Sequence, residues 1–153
     1  MTVEVSVRIA APPGLVYSLV ADLSRMHEWS PETTEVRWLD GATGPVVGAR
    51  FRGSNRNGRR AWSTTCTILA LDPPREIAWR VSAYGLRVSR WSYRVEPGDD
   101  GGTVLTESTD DERTSLLRLA APAATGVSDR GEHNRRTMTE TLERIRAAAE
   151  AGR

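Results

Sequence analysis

The sequence predicts an α+β fold in which a curved antiparallel sheet of about seven strands wraps around one long C-terminal helix. Seven segments alternate apolar and polar residues and are separated by loop or hairpin residues, as in antiparallel sheets. The last part of the chain instead repeats its apolar residues with the period of a helix. The 153 residues suit one domain, which we expect over residues 1–150, with a frayed tail over 151–153.

The first strand and two short helices open the chain. Valine and isoleucine alternate with polar residues over 3–9, which predicts a strand with one apolar face. Residues 15–20 fit a short helix that has proline near its first turn, where the missing N–H is harmless. A second short helix extends to about Trp29, and Asp22 or Ser24 is its expected cap.

Six further strands follow, and two tight turns join neighbouring pairs. Asn57-Gly58 predicts a hairpin because both residues tolerate positive φ, and Tyr84-Gly85 marks a second turn. The predicted strands span residues 34–39, 48–55, 60–71, 76–82, 86–96 and 103–109.

The C-terminal third is predicted to be helical. Residues 113–121 look helical but meet Pro122, and a weak segment follows over 123–129. A long helix is predicted over 132–150, with an apolar face made of Met138, Leu142, Ile145 and Ala149. Oppositely charged residues four apart support its exposed side: Glu132 with Arg136, Glu140 with Arg144, and Arg146 with Glu150.

The composition excludes several classes of protein. The 21 basic residues, all arginine, balance 20 acidic ones. The sequence has no run of basic residues, which argues against a nucleic-acid partner. One cysteine, Cys66, excludes an internal disulfide and a thiolate zinc site, and two histidines do not make a metal centre. We therefore expect no cofactor. No apolar stretch suits a membrane span, and no signal peptide is evident, so we expect a cytoplasmic protein.

Four stretches of the chain resemble a known superfamily. Residues 7–22 resemble the opening motif of the START-like (Bet v 1-like, SRPBCC) superfamily: a strand, Ala-x-Pro, Val-aromatic, and a closing Asp. Residues 29–32, 72–79 and 101–108 resemble its later motifs, in order, so that the resemblance covers about 3–148. The likeness is closest to the bacterial polyketide cyclase/dehydrase-like branch. It implies the helix-grip fold, on a scaffold that hosts lipid carriers, hormone receptors, cyclases, hydratases and co-chaperones.

A single helix does not fill a strongly curved sheet, so we expect an internal cavity as the ligand site. Strand alternation and the helix stripe give the candidate wall, although the same residues also suit an ordinary core. The candidate ligand-binding residues are Trp62, Thr64, Cys66, Ile68, Trp79, Trp91, Tyr93, Leu105, Glu107, Asn134 and Met138.

Glu107 and Tyr93 are the candidate catalytic residues. The resemblance turns the Thr103 side of the last strand inward, which makes Glu107 an inward carboxylate. Burial would raise its pKa and suit it to general acid or base work. Alternatively, Glu107 lies at the wet end of the strand or pairs with an arginine.

Four other polar residues have simpler interpretations. Asn134 hydrogen-bonds either a ligand or nearby backbone and water, and Cys66 is expected to be a buried structural thiol. His27 is expected at the surface near the cavity mouth, and His133 is expected to be exposed.

Three hypotheses for the function follow. The first is binding of a hydrophobic small molecule, such as a lipid, polyketide, isoprenoid or aromatic metabolite. The second is a polyketide aromatase/cyclase or dehydratase acting in the same cavity. The third is a protein-interaction module of the co-chaperone or toxin-partner kind. The expected partner is a hydrophobic small molecule, with no nucleic acid and no membrane span, and the oligomeric state is open between a monomer and a homodimer.

Overall fold

The computed structural model describes residues 2–127 and 129–152. The strands are β1 Thr2–Ile9, β2 Thr33–Trp38, β3 Arg50–Asn57, β4 Arg60–Asp72, β5 Glu76–Ala83, β6 Leu86–Pro97 and β7 Thr103–Asp111. The α-helices are α1 Pro13–Ala21, α2 Met26–Trp29, α3 Ser115–Thr125 and α4 Arg130–Ala151, and short 3₁₀ turns span Leu23–Arg25 and Asp99–Gly101.

Within the described residues, the seven strands form one antiparallel sheet, which confirms the predicted fold class. The strand order is β1-β7-β6-β5-β4-β3-β2, so the chain's first and last strands are neighbours. Their register places Val5 opposite Glu107. Strands β2 to β7 form a meander, in which each strand pairs with the next one along the chain. The connections between them are short, so each strand runs antiparallel to the one before it.

The two predicted tight turns differ in detail. Tyr84 and Gly85 have φ of 53° and 75°, and a two-residue hairpin turn of type I′ requires positive φ at both positions. The other turn is centred one residue later than predicted. Asn57 still pairs with Arg60 in the ladder, so the turn residues are Gly58 and Arg59, and Gly58 supplies a φ of 62°.

The predicted cap of the second short helix is wrong. The Ser24 hydroxyl donates to the Asp22 carboxylate at 2.5 Å, so the two side chains satisfy each other. Neither caps α2, which instead follows directly from the 3₁₀ turn with Arg25 at its N-cap position.

Helix α3 continues past the proline at which the sequence predicts its end. Pro122 removes one N–H donor, yet its own carbonyl accepts from Gly126 N at 2.8 Å and the helix runs to Thr125. Gly126 then ends it with a φ of 75°, a left-handed conformation typical of the residue after a helix. The segment that the sequence presents as weak is thus helical over its first three residues.

Helix α4 packs across the sheet against β1, β7, α1 and α2. The Asp129 side chain caps it by accepting from Glu132 N at 3.1 Å. Its predicted apolar face is buried as Met138, Leu142, Ile145 and Ala149, together with Thr141.

The charged pairs on the outside of α4 only partly follow the prediction. Glu140 and Arg144 form an ion pair as predicted. Arg146 instead pairs with Glu143 at 2.7 Å, since a spacing of three residues also lies on one helix face. Glu150 accepts from Ala10 N at 2.8 Å and so fastens the end of α4 to the end of β1.

The hydrophobic core fills one half of the interior. Helix α1 packs against β5, β6 and β7 and supplies buried side chains to this half. The core also contains Leu142, Ile145 and Ala149 from the C-terminal half of α4. The space beneath the N-terminal half of α4 is left for the site.

Candidate functional site

A cavity of about 260 Å³ lies between the concave face of the sheet and the N-terminal half of α4. Inward side chains of β3 to β7 form its floor and sides, α4 forms its roof, and α3 closes part of one end. Its volume lies just below the range of typical small-molecule sites, about 300–1,000 Å³.

Nine of the eleven candidate residues line this cavity. Because strand alternation predicts the inward faces correctly, residues from four different strands meet there. The nine are Trp62, Thr64, Cys66, Trp79, Trp91, Tyr93, Glu107, Asn134 and Met138.

Ile68 and Leu105 face inward as predicted but do not line the cavity. They are 1% and 0% exposed and belong to the hydrophobic cluster that also contains Val16 and Ile145. The reason is their position along the strands, because α1 and the second half of α4 fill the interior at that end. These two residues are therefore core residues rather than candidate ligand contacts.

Glu107 is a buried carboxyl group in the cavity wall. Glu107 is 4% exposed, and burial raises its pKa to about 8. A hydrogen bond with Tyr93 partly offsets this effect by lowering the pKa. Its Oε1 has no hydrogen-bond partner, and among the described residues Glu107 takes part in no ion pair. Both alternatives for Glu107 are therefore wrong: it lies neither at a solvent-exposed end of the strand nor in an ion pair with a described arginine.

Thr109 is a second buried polar residue in the wall, and sequence reasoning missed it. It lies two residues beyond Glu107 on the same face of β7, opposite Trp91 on β6. Its Oγ1 is also buried without a hydrogen-bond partner. The alternation that placed Glu107 inward also identifies Thr109, because the strand continues to Asp111 rather than ending at 109.

A connected row of aromatic rings lies beside these two polar groups, and Phe51, Trp79 and Tyr93 of this row line the cavity. The ring centroids of Trp38 and Phe51 are 5.5 Å apart, those of Phe51 and Trp79 are 6.5 Å apart, and those of Trp79 and Tyr93 are 5.8 Å apart.

Burial, together with the neighbouring Glu107, raises the pKa of Tyr93 well above its usual value. Tyr93 therefore acts as a neutral hydrogen-bond donor. The Trp91 Nε1–H donates to Ser89 Oγ at 2.9 Å.

Cys66 contributes bulk rather than a nucleophile. The thiol is buried, and burial raises its pKa to about 12, although a hydrogen bond with Thr64 acts in the opposite direction. A thiolate is the reactive form of cysteine, so this side chain is unreactive near neutral pH. The structure thus places it as the predicted buried thiol.

A charged cluster at one rim of the cavity contains His133, and the prediction that this residue is exposed is wrong. The His133 Nε2 lies 2.9 Å from Glu32 Oε2, and the His133 side chain is only 15% exposed. Arg130 also contacts Glu32, at 3.1 Å, and its guanidinium lies 5.9 Å from the centroid of the Trp62 ring. His27, by contrast, is exposed as predicted.

Side-chain to backbone hydrogen bonds fasten α3 to the β3–β4 turn at the same end. Asn57 Nδ2 donates to Thr125 O at 2.9 Å, and Arg60 Nε donates to Ala123 O at 3.0 Å. Leu117 and Ala121 of α3 line the cavity. Helix α3 thus closes part of this end of the cavity, and polar contacts with one turn hold it in place.

Comparison with known proteins decides the family. The profile of the family described as polyketide cyclase/dehydrase and lipid transport matches residues 1–150. The chain belongs to this family. No curated protein matches the chain.

Solved structures agree with this membership. A polyketide cyclase-like protein of Corynebacterium glutamicum is 34% identical, with a TM-score of 0.60, and the match covers 97% of this chain and 88% of that one. A major latex-like protein of Panax ginseng is 12% identical, with a TM-score of 0.71 and 97% of both chains covered. It shares the fold, as the resemblance to Bet v 1-like proteins implies.

A member of a biosynthetic pathway is also similar in fold. The di-domain ARO/CYC protein StfQ of the steffimycin biosynthetic pathway is 15% identical, with a TM-score of 0.71. The match covers 98% of this chain and 50% of StfQ, so this chain spans half the length of that protein. Among the described residues of this family member, no helix is both long and apolar enough to cross a membrane.

Proposed function

We propose that this protein binds a hydrophobic small molecule in the cavity between the sheet and α4. One observation carries the proposal: a largely apolar and aromatic wall surrounds two buried polar atoms, Glu107 Oε1 and Thr109 Oγ1, that lack hydrogen-bond partners. A buried polar group without a partner is unfavourable, whereas a ligand that supplies the missing hydrogen bonds removes this penalty. Membership of a family whose description includes lipid transport supports the same function.

The ligand should combine an apolar ring or chain with a polar group. The aromatic wall formed by Phe51, Trp79 and Tyr93 favours a flat or ring-containing body, because aromatic rings stack or meet edge to face. The polar group would lie at Glu107 and Thr109, which are two residues apart on one face of β7. Few polar groups in an apolar pocket are the usual means by which such sites orient a ligand.

Native mass spectrometry and a dye titration test this function. Protein purified under mild conditions should retain an adduct of small-molecule mass, and the neutral dye Prodan should bind with a blue-shifted emission. Val81→Trp adds a ring to the inward face of β5 and should abolish dye binding, since Val81 lines the cavity. Thr67→Trp, on the outward face of β4, is the matched control and should leave binding intact. If the protein retains no adduct and binds no dye, the proposal is wrong.

An enzyme of the cyclase or dehydratase type is the second candidate, and one specific observation favours it. Glu107, with a pKa of about 8, is a neutral acid near pH 7 and lies beside the Tyr93 hydroxyl. A general acid works best when its pKa is close to the working pH. Poly-β-keto thioesters are the substrates to test. Glu107→Gln and Tyr93→Phe should each lower turnover by about 100-fold or more in folded protein. Turnover that survives both substitutions would exclude these catalytic roles.

A further inference from the structure

The described cavity wall contains three acidic side chains but only two basic ones. Asp111 pairs with Arg113 at 2.9 Å, and Glu32 pairs with Arg130 at 3.1 Å. Glu107 is the remaining charged-type side chain in the described lining, and it has no basic partner. The wall therefore carries one acidic group more than its basic groups neutralise.

Within residues 2–127 and 129–152, no neighbouring element supplies a basic partner for Glu107. On α4, the Thr141 hydroxyl donates to Thr137 O at 2.7 Å and the Thr137 hydroxyl donates to Asn134 O at 3.1 Å, so both are satisfied within the helix. Two other titratable groups of the lining, Tyr93 on β6 and Cys66 on β4, stay neutral because burial raises the pKa of each. Tyr84 also borders the cavity, but it is 99% exposed.

The surroundings of Glu107 suit a positive charge. Tyr93 lies directly opposite Glu107 in the β6–β7 ladder, and the rings of Tyr93 and Trp79 are 5.8 Å apart. Trp91 lies opposite Thr109 in the same ladder. Aromatic faces attract cations through their quadrupole, most strongly where water is excluded. A carboxyl group among aromatic rings is therefore a site for an ammonium group rather than for an anion.

We propose that the ligand of this cavity is a hydrophobic amine, whose ammonium group pairs with Glu107 and lies against the rings of Trp79, Trp91 and Tyr93. This inference rests on the proposed binding function and adds the chemical class of the ligand. The ammonium donates one N–H to Glu107 Oε1 and a second to Thr109 Oγ1, so both unpartnered atoms are satisfied. The carboxyl proton leaves to solvent, and the bound monocation neutralises the excess acidic group.

Isothermal titration calorimetry with a matched pair of probes tests this class. The probes are 2-naphthylethylamine and 2-naphthylethanol, which differ only in the ammonium or hydroxyl group. At pH 7 the amine should bind about tenfold or more tightly than the alcohol. Titration in two buffers of different ionisation enthalpy should show release of about one proton with the amine and none with the alcohol.

Variants of the wall separate the ion pair from general apolar binding. Glu107→Gln should weaken amine binding about tenfold or more and abolish proton release, and it should weaken alcohol binding by a much smaller factor, since glutamine keeps a neutral hydrogen-bonding group. Thr109→Val, of nearly the same shape, should weaken amine binding by a smaller factor. Alcohol binding as tight as amine binding, or amine binding without proton release, overturns the proposal. Prodan binding by the wild-type protein in either case would leave the proposed binding function standing, whereas a wild-type protein that retains no adduct and binds no Prodan would refute both proposals.

Discussion

Replacing Glu107 with glutamine should stabilise the protein, and the gain should grow as pH rises. Burial raises the pKa of Glu107 to about 8 in the folded protein, against an ordinary value of 4.5. Between these values the folded protein keeps the carboxyl proton and the unfolded chain loses it. The folded protein is then the form that binds more protons, so the free energy of unfolding falls as pH rises through this range.

The size of the effect follows from the two pKa values. Each pH unit between 4.5 and about 8 corresponds to about 1.4 kcal/mol. Relative to pH 4, the wild-type protein should therefore lose about 3 kcal/mol at pH 7 and about 5 kcal/mol above pH 9 through this one group. Glutamine has nearly the same shape and does not ionise, so the variant lacks this loss.

Urea unfolding of both proteins, followed by circular dichroism from pH 4 to pH 9, measures the difference. The two free energies of unfolding should nearly coincide at pH 4 and diverge by about 3 kcal/mol at pH 7. Glu35→Gln, at an exposed position of β2, controls for removal of a surface carboxylate. A difference between Glu107→Gln and wild type that stays constant with pH would refute the assignment of Glu107 as a buried, protonated acid.

Three further predictions test the packing around the cavity. Gly126→Ala should lower the free energy of unfolding by about 1–2 kcal/mol, because φ is +75° and the new Cβ would lie 3.1 Å from Arg60 Cδ. Gly44→Ala, where an added Cβ meets nothing within 4 Å, should stay within about 0.5 kcal/mol. At pH 8 a thiol reagent should label Cys66 about 1,000-fold more slowly in native than in denatured protein, since burial raises its pKa to about 12, and equal rates would contradict this burial. Leu105→Ala should cost about 2–5 kcal/mol in urea unfolding yet leave Prodan affinity unchanged, whereas weaker dye binding by the folded variant would place Leu105 in the cavity wall.

The predictable part of this structure is the part that local sequence determines. Alternation of apolar and polar residues defines each strand and the side of the sheet that each residue faces, and so it places Glu107, Tyr93 and Trp79 on the inner surface. The helical period likewise identifies the buried face of α4. Both patterns can be recognised in the sequence without knowing which residues pack against them.

The other features depend on contacts between distant parts of the chain. Whether an inward residue lines the cavity or the core depends on how far α1 reaches beneath the sheet, and so Ile68 and Leu105 lie in the core. The contact of His133 with Glu32 joins residues 101 positions apart, and nothing near His133 in sequence indicates it. Helix α3 continues through Pro122 while its end is held by Asn57, which is another distant contact.

The uneven filling of the interior divides α4 into halves with different local stability. Leu142, Ile145 and Ala149 are anchored in the core, so their amide hydrogens should exchange with solvent only when the whole protein unfolds. The turns around Asn134 and Met138 line the cavity rather than the core, and their amides should exchange through smaller, local openings. A bound molecule would fill that space and slow exchange in the first half of α4 alone. Hydrogen exchange along this one helix would therefore report occupancy of the cavity without any label on the ligand.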